Sequence, residues 1–314
     1  MEVHEQRMAI EVIARKDLTP EICEFTLALR DGGELPAFTP GAHITVETPN
    51  GAMRRYSLLN DGDAPAEYVI AIKREPNSRG GSSSMHEEAP VGSVLQIEPP
   101  GNEFELVEAS RYLLIAGGIG VTPILSMARK LTAKGKPFKL IYCTRSAEET
   151  AYLEDCKAFP GAIVHHDEGD LDRFYDFWDH FEEPRPEHVY CCGPAPLMEE
   201  IKAISGHWPE GRVHFEDFNA VAVVREDDVP FKVTIAGNGH MIEVPADRSI
   251  LEALRDAGEQ TVSSCESGTC GTCKCRLIEG EADHRDLVLM DEEKSDYIMI
   301  CVSRAKAGDL VIDL

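Results

Sequence analysis

Three cysteines near the C-terminal end of the chain are spaced C-x4-C-x2-C, and this spacing constrains the fold more than any other feature. With a fourth cysteine from a separate segment, the set is Cys265, Cys270, Cys273 and Cys301. This is the ligand spacing of plant-type two-iron, two-sulphide clusters. Gly268 and Gly271 allow the loop backbone to take positive φ and approach a cluster closely. We therefore predict that these four cysteines hold a 2Fe-2S cluster.

Other uses of these cysteines fit the pattern less well. Structural zinc is usually bound by two C-x2-C pairs or by cysteine with histidine, and a C-x4-C-x2-C run with one distant partner matches neither. Cys275 lies two residues beyond Cys273 and is a possible rival ligand. We interpret Cys275 as a spare thiol, because the loop already supplies three ligands and the fourth should be remote.

The composition is that of an ordinary globular chain with an acidic surface. Of 314 residues, 43% are hydrophobic and 28% charged, and no apolar run reaches the roughly 18 residues of a membrane span. The net charge of −25 argues against nucleic acid and anionic membrane as partners, since both attract basic surfaces. The first residues show no export signal, and ten cysteines then indicate reduced thiols. We expect a soluble, cytoplasmic monomer.

Changes in hydrophobic pattern predict a multidomain chain. Residues 1–106 show short, alternating apolar stretches broken by glycine and proline, which predict an antiparallel β-barrel or sandwich. Residues 107–220 alternate apolar strands with helical spacing, which predicts a parallel sheet covered by helices on both faces. Residues 221–229 are polar and predict a linker, and residues 230–314 form an α+β domain that carries the cysteines.

Hydrophobic spacing and turn residues predict individual strands and helices. In the second domain we predict strands at 112–116, 139–143, 163–164, 189–192 and 212–218, and helices at 123–134, 148–159, 174–181 and 196–204. In the last domain a hairpin should span 231–244 and turn at 237–239. Ser249 should cap a helix over 250–257 that ends at Gly258.

Two motifs in the second domain are candidates for binding a nucleotide. The glycine turn Gly117–Pro123 joins a buried strand to a helix, and open backbone amides at a helix N-terminus suit a pyrophosphate. We expect Thr122 to be the N-cap and Pro123 the first helical residue. The turn lacks the G-x-G-x-x-G fingerprint, so a purely structural glycine turn is an open alternative. Cys192, before Gly193 and Pro194, ends another strand of this sheet, where ligands commonly bind.

The first domain carries two further candidate segments. The run Arg54-Arg55-Tyr56-Ser57 offers a guanidinium, an aromatic plane and a hydroxyl, which suit a phosphate, a flat ring and a ring heteroatom. Residues 77–84 offer backbone amides and hydroxyls before an apparent short helix, which also suits a phosphate.

Taken together, these motifs resemble the phthalate dioxygenase reductase family, whose members carry a C-terminal ferredoxin domain. The resemblance covers nearly the whole chain in motif order: Arg55-x-Ser57, Gly80-Gly81-Ser82, the glycine turn, Cys192-Gly193-Pro194, residues 215–218 and the cysteine loop. It implies a flavin barrel that binds FMN, an NAD-binding α/β domain and a β-grasp ferredoxin domain. The cofactor-binding residues would be Arg55, Tyr56, Ser57, Lys73, Gly80, Gly81, Ser82, Gly117, Gly118, Gly120, Thr122, Arg145, Cys192, Gly193, Pro194 and Phe218.

The resemblance also implies roles for some of these residues. Arg55 and Gly80–Ser82 would lie near the FMN phosphate, Ser57 near the reactive edge of the flavin, and Phe218 over the flavin ring. NADH would cross the glycine turn and the Cys192 segment. Arg145 could pair with the additional phosphate of NADPH, whereas the family points to NADH. His165-His166-Asp167 looks like a metal or proton site, but we expect solvated loop residues there.

The expected function is electron transfer from NADH to FMN to the 2Fe-2S cluster, without a catalytic acid or base, because cofactors carry the redox chemistry. By resemblance the chain is the reductase component of a Rieske-type oxygenase or O-demethylase, to which it docks transiently. An NADH oxidase and an NADH-dependent redox sensor are the alternatives. The sequence does not identify the partner's substrate or the docking face.

Overall fold

The computed structural model describes residues 7–75, 80–218, 225, 228–263, 268 and 271–314. The chain divides into two compact units, the first ending at Phe218 and the second starting at residue 219. None of the helices within the described ranges has the length and apolar character needed to cross a bilayer.

The first part of unit 1 is an antiparallel sheet of six strands in the order β4-β3-β6-β1-β2-β5. The strands are β1 (Met8–Asp17), β2 (Ile22–Ala28), β3 (His43–Glu47), β4 (Met53–Ser57), β5 (Glu67–Lys73) and β6 (Val94–Ile97), and helix α1 (Gly81–Glu88) follows β5. Just beyond β4, the N–H of Leu59 donates to the carbonyl of Val69 on β5 at 2.9 Å. The two edge strands therefore meet, and the predicted antiparallel barrel is confirmed.

The second part of unit 1 is a five-stranded parallel sheet in the order β11-β10-β7-β8-β9. Its strands are β7 (Tyr112–Gly117), β8 (Phe138–Thr144), β9 (Ile163–His166), β10 (His188–Cys192) and β11 (Val213–Glu216). Its helices are α2 (Val121–Ala133), α3 (Leu153–Lys157), α4 (Trp178–Phe181) and α5 (Ala195–Ile204). The chain builds outward from β7 through β8 to β9 and then returns to β10 on the other side of β7. The crevice between the ends of β7 and β10 is thus the topological switch point, where α/β sheets bind ligands.

One hydrophobic cluster spans the barrel and the parallel sheet, in addition to a core inside the barrel and another within the parallel-sheet part. This cluster unites Leu59 and Ala71 of the barrel with Leu114 of β7 and Val121 of α2, all of them at most 5% exposed. A buried polar contact adds to it, since the Tyr152 hydroxyl donates to the Glu24 carboxylate of β2 at 2.7 Å. The sequence predicted separate domains on either side of residue 106, and the packing joins them into a single compact unit.

Two predicted helices are shorter than expected. The helix predicted at 148–159 is only Leu153–Lys157, because Tyr152 has a φ of 56°, which an α-helix cannot contain. The helix predicted at 174–181 is reduced to Trp178–Phe181, and the Asp176 carboxylate accepts the N–H of Trp178 at its start. Both sequences have helical spacing, but local backbone geometry delays the start of each helix.

The N-cap predicted at Thr122 was wrong. A short 3₁₀ turn, Gly118–Gly120, precedes α2, and Gly120 occupies the N-cap position. Thr122 is already helical, and its hydroxyl donates back to the carbonyl of Ile119 at 3.0 Å. The additional turn shifts the helix start by two residues.

Unit 2 is a mixed sheet of five strands with one helix packed against it, which confirms the predicted β-grasp fold. The strands are β12 (Phe231–Ile235), β13 (Met241–Val244), β14 (Lys274–Asp283), β15 (Tyr297–Met299) and β16 (Arg304–Asp313), in the order β13-β12-β16-β14-β15, and the helix is α6 (Ile250–Asp256). Ser249 and Glu252 form the predicted cap reciprocally, each side chain bonding the other's backbone N–H. The predicted hairpin and the helix end at Gly258, with a φ of 83°, are also present.

Part of the predicted linker belongs to unit 2. Residues 221–224 and 226–227 lie outside the described residues, but Asp228 is buried in an ion-pair network. Its carboxylate receives two hydrogen bonds from Arg285, at 2.8 and 2.5 Å, and lies 3.5 Å from Arg304. Hydrogen bonds from Arg285 hold the pKa of Asp228 at about 2, despite burial. The segment just before β12 is therefore fixed to the sheet rather than solvated.

Candidate functional site

The residues at the end of β4 leave polar atoms buried without a protein partner. Within the described part of the chain, neither the Tyr56 hydroxyl nor the Ser57 hydroxyl makes a hydrogen bond. The Tyr56 ring packs against the barrel core, and burial raises the pKa of its hydroxyl. Buried polar groups are normally satisfied, so two adjacent exceptions mark a place where a polar ligand fits. A hydroxyl can accept or donate a bond to such a ligand.

The two arginines of β4 serve different neighbours, because successive side chains of a strand point to opposite faces. Arg54 lies against the N-terminus of α1: a Cβ on Gly81 would stand 3.1 Å from both Cγ and Nε of Arg54. Arg55 instead donates two hydrogen bonds to Glu103, at 2.5 and 3.2 Å. The resemblance implied a phosphate contact for Arg55; the structure places its guanidinium beside Glu103 and that of Arg54 at the start of α1.

The N-terminus of α1 combines several features of an anion site. Gly80 has a φ of 81° at the N-cap, and no side-chain hydrogen bond caps the helix. The first amides of a helix attract negative charge, and the Arg54 guanidinium adds a positive charge beside them. The Ser82 hydroxyl accepts the N–H of Glu75 at 3.0 Å. The predicted residues 77–79 lie outside the described residues.

Lys73, another predicted cofactor residue, is placed at the end of β5. Its ammonium group is 3.0 Å from the Glu75 carboxylate and 4.0 Å from that of Glu21, and the side chain is 36% exposed. The structure thus places Lys73 in surface ion pairs, near the segment that leads to α1.

Glu216, at the end of β11, is a buried acid to which the sequence gave no individual role. Its pKa is raised to about 8, chiefly by burial and then by the nearby charge of Glu103, while the charge of Arg55 lowers it. Its Oε2 has no hydrogen-bond partner among the described residues. On the sheet, Cys192 of β10 stands in register with Glu216 on one side and Ala116 of β7 on the other. Glu216 therefore joins the barrel residues to the switch-point crevice.

Two helix N-termini meet at that crevice. The turn after β7 leads into α2, and the segment after β10 leads into α5, whose N-cap is Pro194. Neither helix has a side-chain cap. Two helix dipoles without side-chain caps therefore converge at the ends of adjacent strands, which is the arrangement that binds a dinucleotide pyrophosphate.

Glycines let the two turns pack closely enough to form this site. A Cβ on Gly120 would lie 2.3 Å from the carbonyl oxygen of Cys192, and one on Gly117 would lie 2.6 Å from Cδ of Pro194. A Cβ on Gly193 would lie 2.9 Å from Cα of Gly117. Gly118, in contrast, has a φ of 52° and no atom within 4 Å of an ideal Cβ. Three of the four glycines are thus required by packing, and Gly118 by its backbone conformation.

The remaining predicted nucleotide residues lie around the crevice. Cys192 is fully buried, and burial followed by the charge of Glu216 raises the pKa of its thiol well above the ordinary value. Arg145 is exposed just after β8. Phe218 is the last described residue of unit 1 and is 42% exposed.

The two histidines of the His165-His166-Asp167 run are held by hydrogen bonds to neighbouring residues. His165 and His166 lie on β9, not in a loop, and both are half-buried. The His165 ring bonds the carbonyl of Arg173 at 2.6 Å, and the His166 ring bonds the hydroxyl of Thr144 at 2.8 Å. These bonds give both side chains a structural role.

Unit 2 brings two of the four predicted cluster ligands together. Cys273 precedes β14 and Cys301 follows β15, and the N–H of Ile300 donates to the carbonyl of Cys273 at 3.3 Å. The two sulphurs are 2.9 Å apart, and both residues are buried, at 3% and 0% exposure. Two thiolates this close can bind one iron. The other two predicted ligands, Cys265 and Cys270, lie outside the described residues.

The described glycines of the cysteine loop support a tight wrap. Gly268 and Gly271 have φ values of 76° and 82°, which favour glycine. A Cβ on Gly268 would stand 2.8 Å from a methyl group of Val302, so backbone and core are in direct contact there. The thiol of Cys275 donates to the carbonyl of Cys273 at 3.8 Å and packs against the core. This position agrees with its interpretation as a spare thiol.

Sequence reasoning gave no individual role to Arg54 and Glu216, although both lie in segments that it singled out. The alternation of side chains along β4 could have separated Arg54 from Arg55, because only one of two neighbours can face α1. No local signal marks Glu216, whose environment depends on Glu103 and Arg55, both distant in sequence.

Comparison with known proteins agrees with this architecture. Residues 233–306 match the family model described as a 2Fe-2S iron-sulfur cluster binding domain. A phthalate 4,5-dioxygenase oxygenase reductase subunit of Pseudomonas putida is 50% identical over 311 residues, covering 97% of this chain and 96% of that protein. A vanillate O-demethylase oxidoreductase of Pseudomonas sp. (strain HR199 / DSM 7063) is 41% identical, covering 97% of this chain and all 100% of the relative.

A solved structure matches over nearly its whole length. It is a phthalate dioxygenase reductase, described as a modular structure for electron transfer from pyridine nucleotides to 2Fe-2S, with 46% identity, a TM-score of 0.90 and 98% coverage of both chains. The fold and the site define a modular electron-transfer reductase with a 2Fe-2S domain at its C-terminal end. The chain belongs to the phthalate dioxygenase reductase family.

Proposed function

We propose that this chain is the reductase component of a Rieske-type oxygenase or O-demethylase system, and that it transfers electrons from NADH through FMN to a 2Fe-2S cluster and then to the oxygenase. The relatives named above are reductases of phthalate dioxygenase and vanillate O-demethylase. The observation that carries the proposal is the order of three sites on one chain: orphaned hydroxyls in a barrel, helix N-termini at a switch point, and paired cysteines in a β-grasp unit.

The barrel residues suit FMN. When bound, the flavin accepts a hydride from the nicotinamide and passes electrons singly to the cluster. The N-terminus of α1, with Gly80, Gly81 and the Arg54 guanidinium, binds the single phosphate of FMN. Tyr56 and Ser57 satisfy their hydroxyls on the flavin, which removes the cost of two buried polar groups.

The parallel sheet binds NADH. The turn over Gly117–Gly120 and the segment from Cys192 to Pro194 hold the pyrophosphate between the starts of α2 and α5. Phe218, half-exposed at the end of unit 1, would shield the flavin ring on the side from which nicotinamide enters. Arg145 is exposed, as expected of a surface charge, and we retain NADH as the donor.

The chain meets its oxygenase partner as a separate protein. Docking to the oxygenase is transient, because one reductase must release its acceptor after each electron. The chain acts as a monomer in the cytoplasm, where its cysteines stay reduced. Its acidic charge of −25 gives it no affinity for nucleic acid or anionic membranes.

Rapid anaerobic mixing with NADH tests the electron path. Flavin absorbance should bleach first and cluster absorbance second, and an oxidised cluster after full flavin bleaching would contradict the path. Cys301→Ser should abolish cluster reduction while flavin reduction continues. The matched control is Cys275→Ser, which should keep both steps because its thiol bonds only the backbone of Cys273. Oxygen consumption that is unaffected by an added oxygenase would instead identify an NADH oxidase.

A further inference from the structure

The most exposed apolar side chains of the described chain lie beside the cysteine loop. Only four large hydrophobic side chains among the described residues exceed 60% exposure: Val229, Val262, Leu287 and Met290, at 69%, 71%, 67% and 68%. Val262 directly precedes the cysteine loop. Leu287 and Met290 lie in the segment between β14 and β15. We call Leu287 and Met290 the cluster-loop face.

The segment that carries Leu287 is attached to the cysteine loop. The N–H of Leu287 donates to the carbonyl of Gly268 at 3.0 Å. A Cβ on Gly271 would stand 3.4 Å from a methyl group of Val288. Cys273 and Cys301 are themselves buried. An electron that leaves the cluster for another protein can therefore cross at this face, because Leu287 is bonded to the loop that carries the cysteines.

The exposure of these side chains is not a result of a loose loop. The buried Asp286 carboxylate accepts the N–H groups of Val288 and Leu289, at 3.2 and 2.8 Å, and the hydroxyl of Ser303 at 3.3 Å. The N–H of Met290 donates to the Glu293 carboxylate at 3.1 Å. The backbone is thus held from within while two large apolar side chains point outward, which is the arrangement of a preformed binding surface.

Charges around the face indicate the chemistry of the partner. Asp291 and Glu292 are exposed directly after Met290, and Glu293 is 35% exposed. Lys274 and Lys294 each pair with one of these acids, at 2.6 and 2.7 Å, so the rim keeps an excess of negative charge. Complementary potentials speed the encounter of proteins, and apolar contact at the centre then holds them briefly.

We propose that the cluster-loop face is the docking surface for the electron-accepting protein, whose own surface has an apolar centre and a positively charged rim. The proposal rests on the proposed function and names the site at which the oxygenase component binds. Methionine is well suited to such a site, because its flexible side chain adapts to a partner that must also be released.

The test uses the full chain with its cofactors and cytochrome c, a small basic haem protein, as the acceptor. Met290→Gln and Leu287→Asn should each raise the KM for cytochrome c about tenfold, the effect of removing one interface anchor. Met241→Gln is the matched control, because Met241 is 58% exposed on β13, at the opposite edge of the sheet from β15. Glu292→Gln should slow the reaction at low salt and make it less sensitive to salt.

Single-turnover reduction by NADH separates the possible outcomes. Support requires that the variants keep wild-type rates of flavin and cluster reduction while cytochrome c reduction falls. An unchanged KM in Met290→Gln, or a loss of equal size in Met241→Gln, would overturn the docking proposal alone. Slower flavin-to-cluster transfer in Leu287→Asn and Met290→Gln would overturn it too, since the face would then serve the internal electron transfer. Failure of the wild type to reduce its cluster would reject the proposed function itself.

Discussion

Arg285 and Asp228 form a buried, two-bond ion pair that fixes the start of the C-terminal unit. The side chains are only 3% and 6% exposed, and Arg304 lies on the same carboxylate. Asp228 precedes the boundary that the sequence predicted at residue 230, so the pair extends the unit toward the N-terminus. A buried charge that loses its partner is costly, which makes the pair a strong test of this boundary.

Asp228→Asn should destabilise unit 2 by about 1.5–3 kcal/mol, because two charge-assisted hydrogen bonds from Arg285 would be lost while Arg285 keeps its bond to Asp283. Urea unfolding followed by the visible absorbance of the cluster measures the change. Asp291→Asn is the control and should have little effect, since that side chain is 93% exposed. Equal midpoints for the two variants would show that the network contributes nothing to the unit.

Arg54→Gln should weaken FMN binding about 10- to 100-fold, the value of one charge-assisted contact to phosphate. Arg55→Gln should weaken it less than tenfold, because the Arg55 guanidinium is engaged by Glu103. Titration of the flavin-free protein with FMN, followed by flavin fluorescence, gives both dissociation constants. If Arg55→Gln weakened FMN binding more than Arg54→Gln, the phosphate contact would belong to Arg55.

Gly120→Ala should slow flavin reduction by NADH about 100-fold, because a shift of about 1 Å in a positioning loop has an effect of this size. The added Cβ would stand 2.3 Å from the Cys192 carbonyl, and the two turns must separate to admit it. Gly206→Ala adds the same methyl group with no atom closer than 3.7 Å. Stopped-flow traces for this control should match those of the wild type.

Glu216 should make the stability of unit 1 depend on pH. Its pKa is about 8 in the folded chain, against an ordinary value of 4.5, so the folded state holds a proton that the unfolded state has lost. The free energy of unfolding should therefore fall as pH rises from about 4.5 to about 8, and Glu216→Gln should flatten this fall.

Tryptophan fluorescence can follow this unfolding in the flavin-free protein, because both tryptophans, Trp178 and Trp208, lie in unit 1. Glu199→Gln, at an exposed position of α5, is the control and should keep the wild-type pH profile. A Glu216→Gln profile parallel to the wild type would mean that the carboxyl is solvated.

The sequence predicted the structural features that depend on residues close to one another along the chain. The Ser249 cap, the Gly237–Gly239 hairpin turn and the alternation of strands and helices are each encoded within a few residues, and the structure contains all of them. Cysteine spacing is equally local, and it identified the cluster domain.

Features that depend on distant residues could not be read in this way. Which arginine of β4 faces α1 depends on how the strand sits in the barrel, and the strained Tyr152 that shortens α3 bonds Glu24, far away in sequence. The raised pKa of the Glu216 carboxyl likewise depends on burial and on charges that are distant in sequence.

The hydrophobic cluster that spans the barrel and the parallel sheet limits which parts of such a reductase can be exchanged with those of another protein. An exchange of residues 1–106 for those of another protein would cut through the cluster that joins Leu59 and Ala71 to Leu114 and Val121, and both new halves would expose mismatched apolar surfaces. The barrel and the parallel sheet, with the sites proposed for flavin and nicotinamide, must therefore be exchanged as one piece. The C-terminal unit has a core of its own and can be exchanged as a module. The same NADH- and flavin-binding unit could then donate electrons to different acceptors.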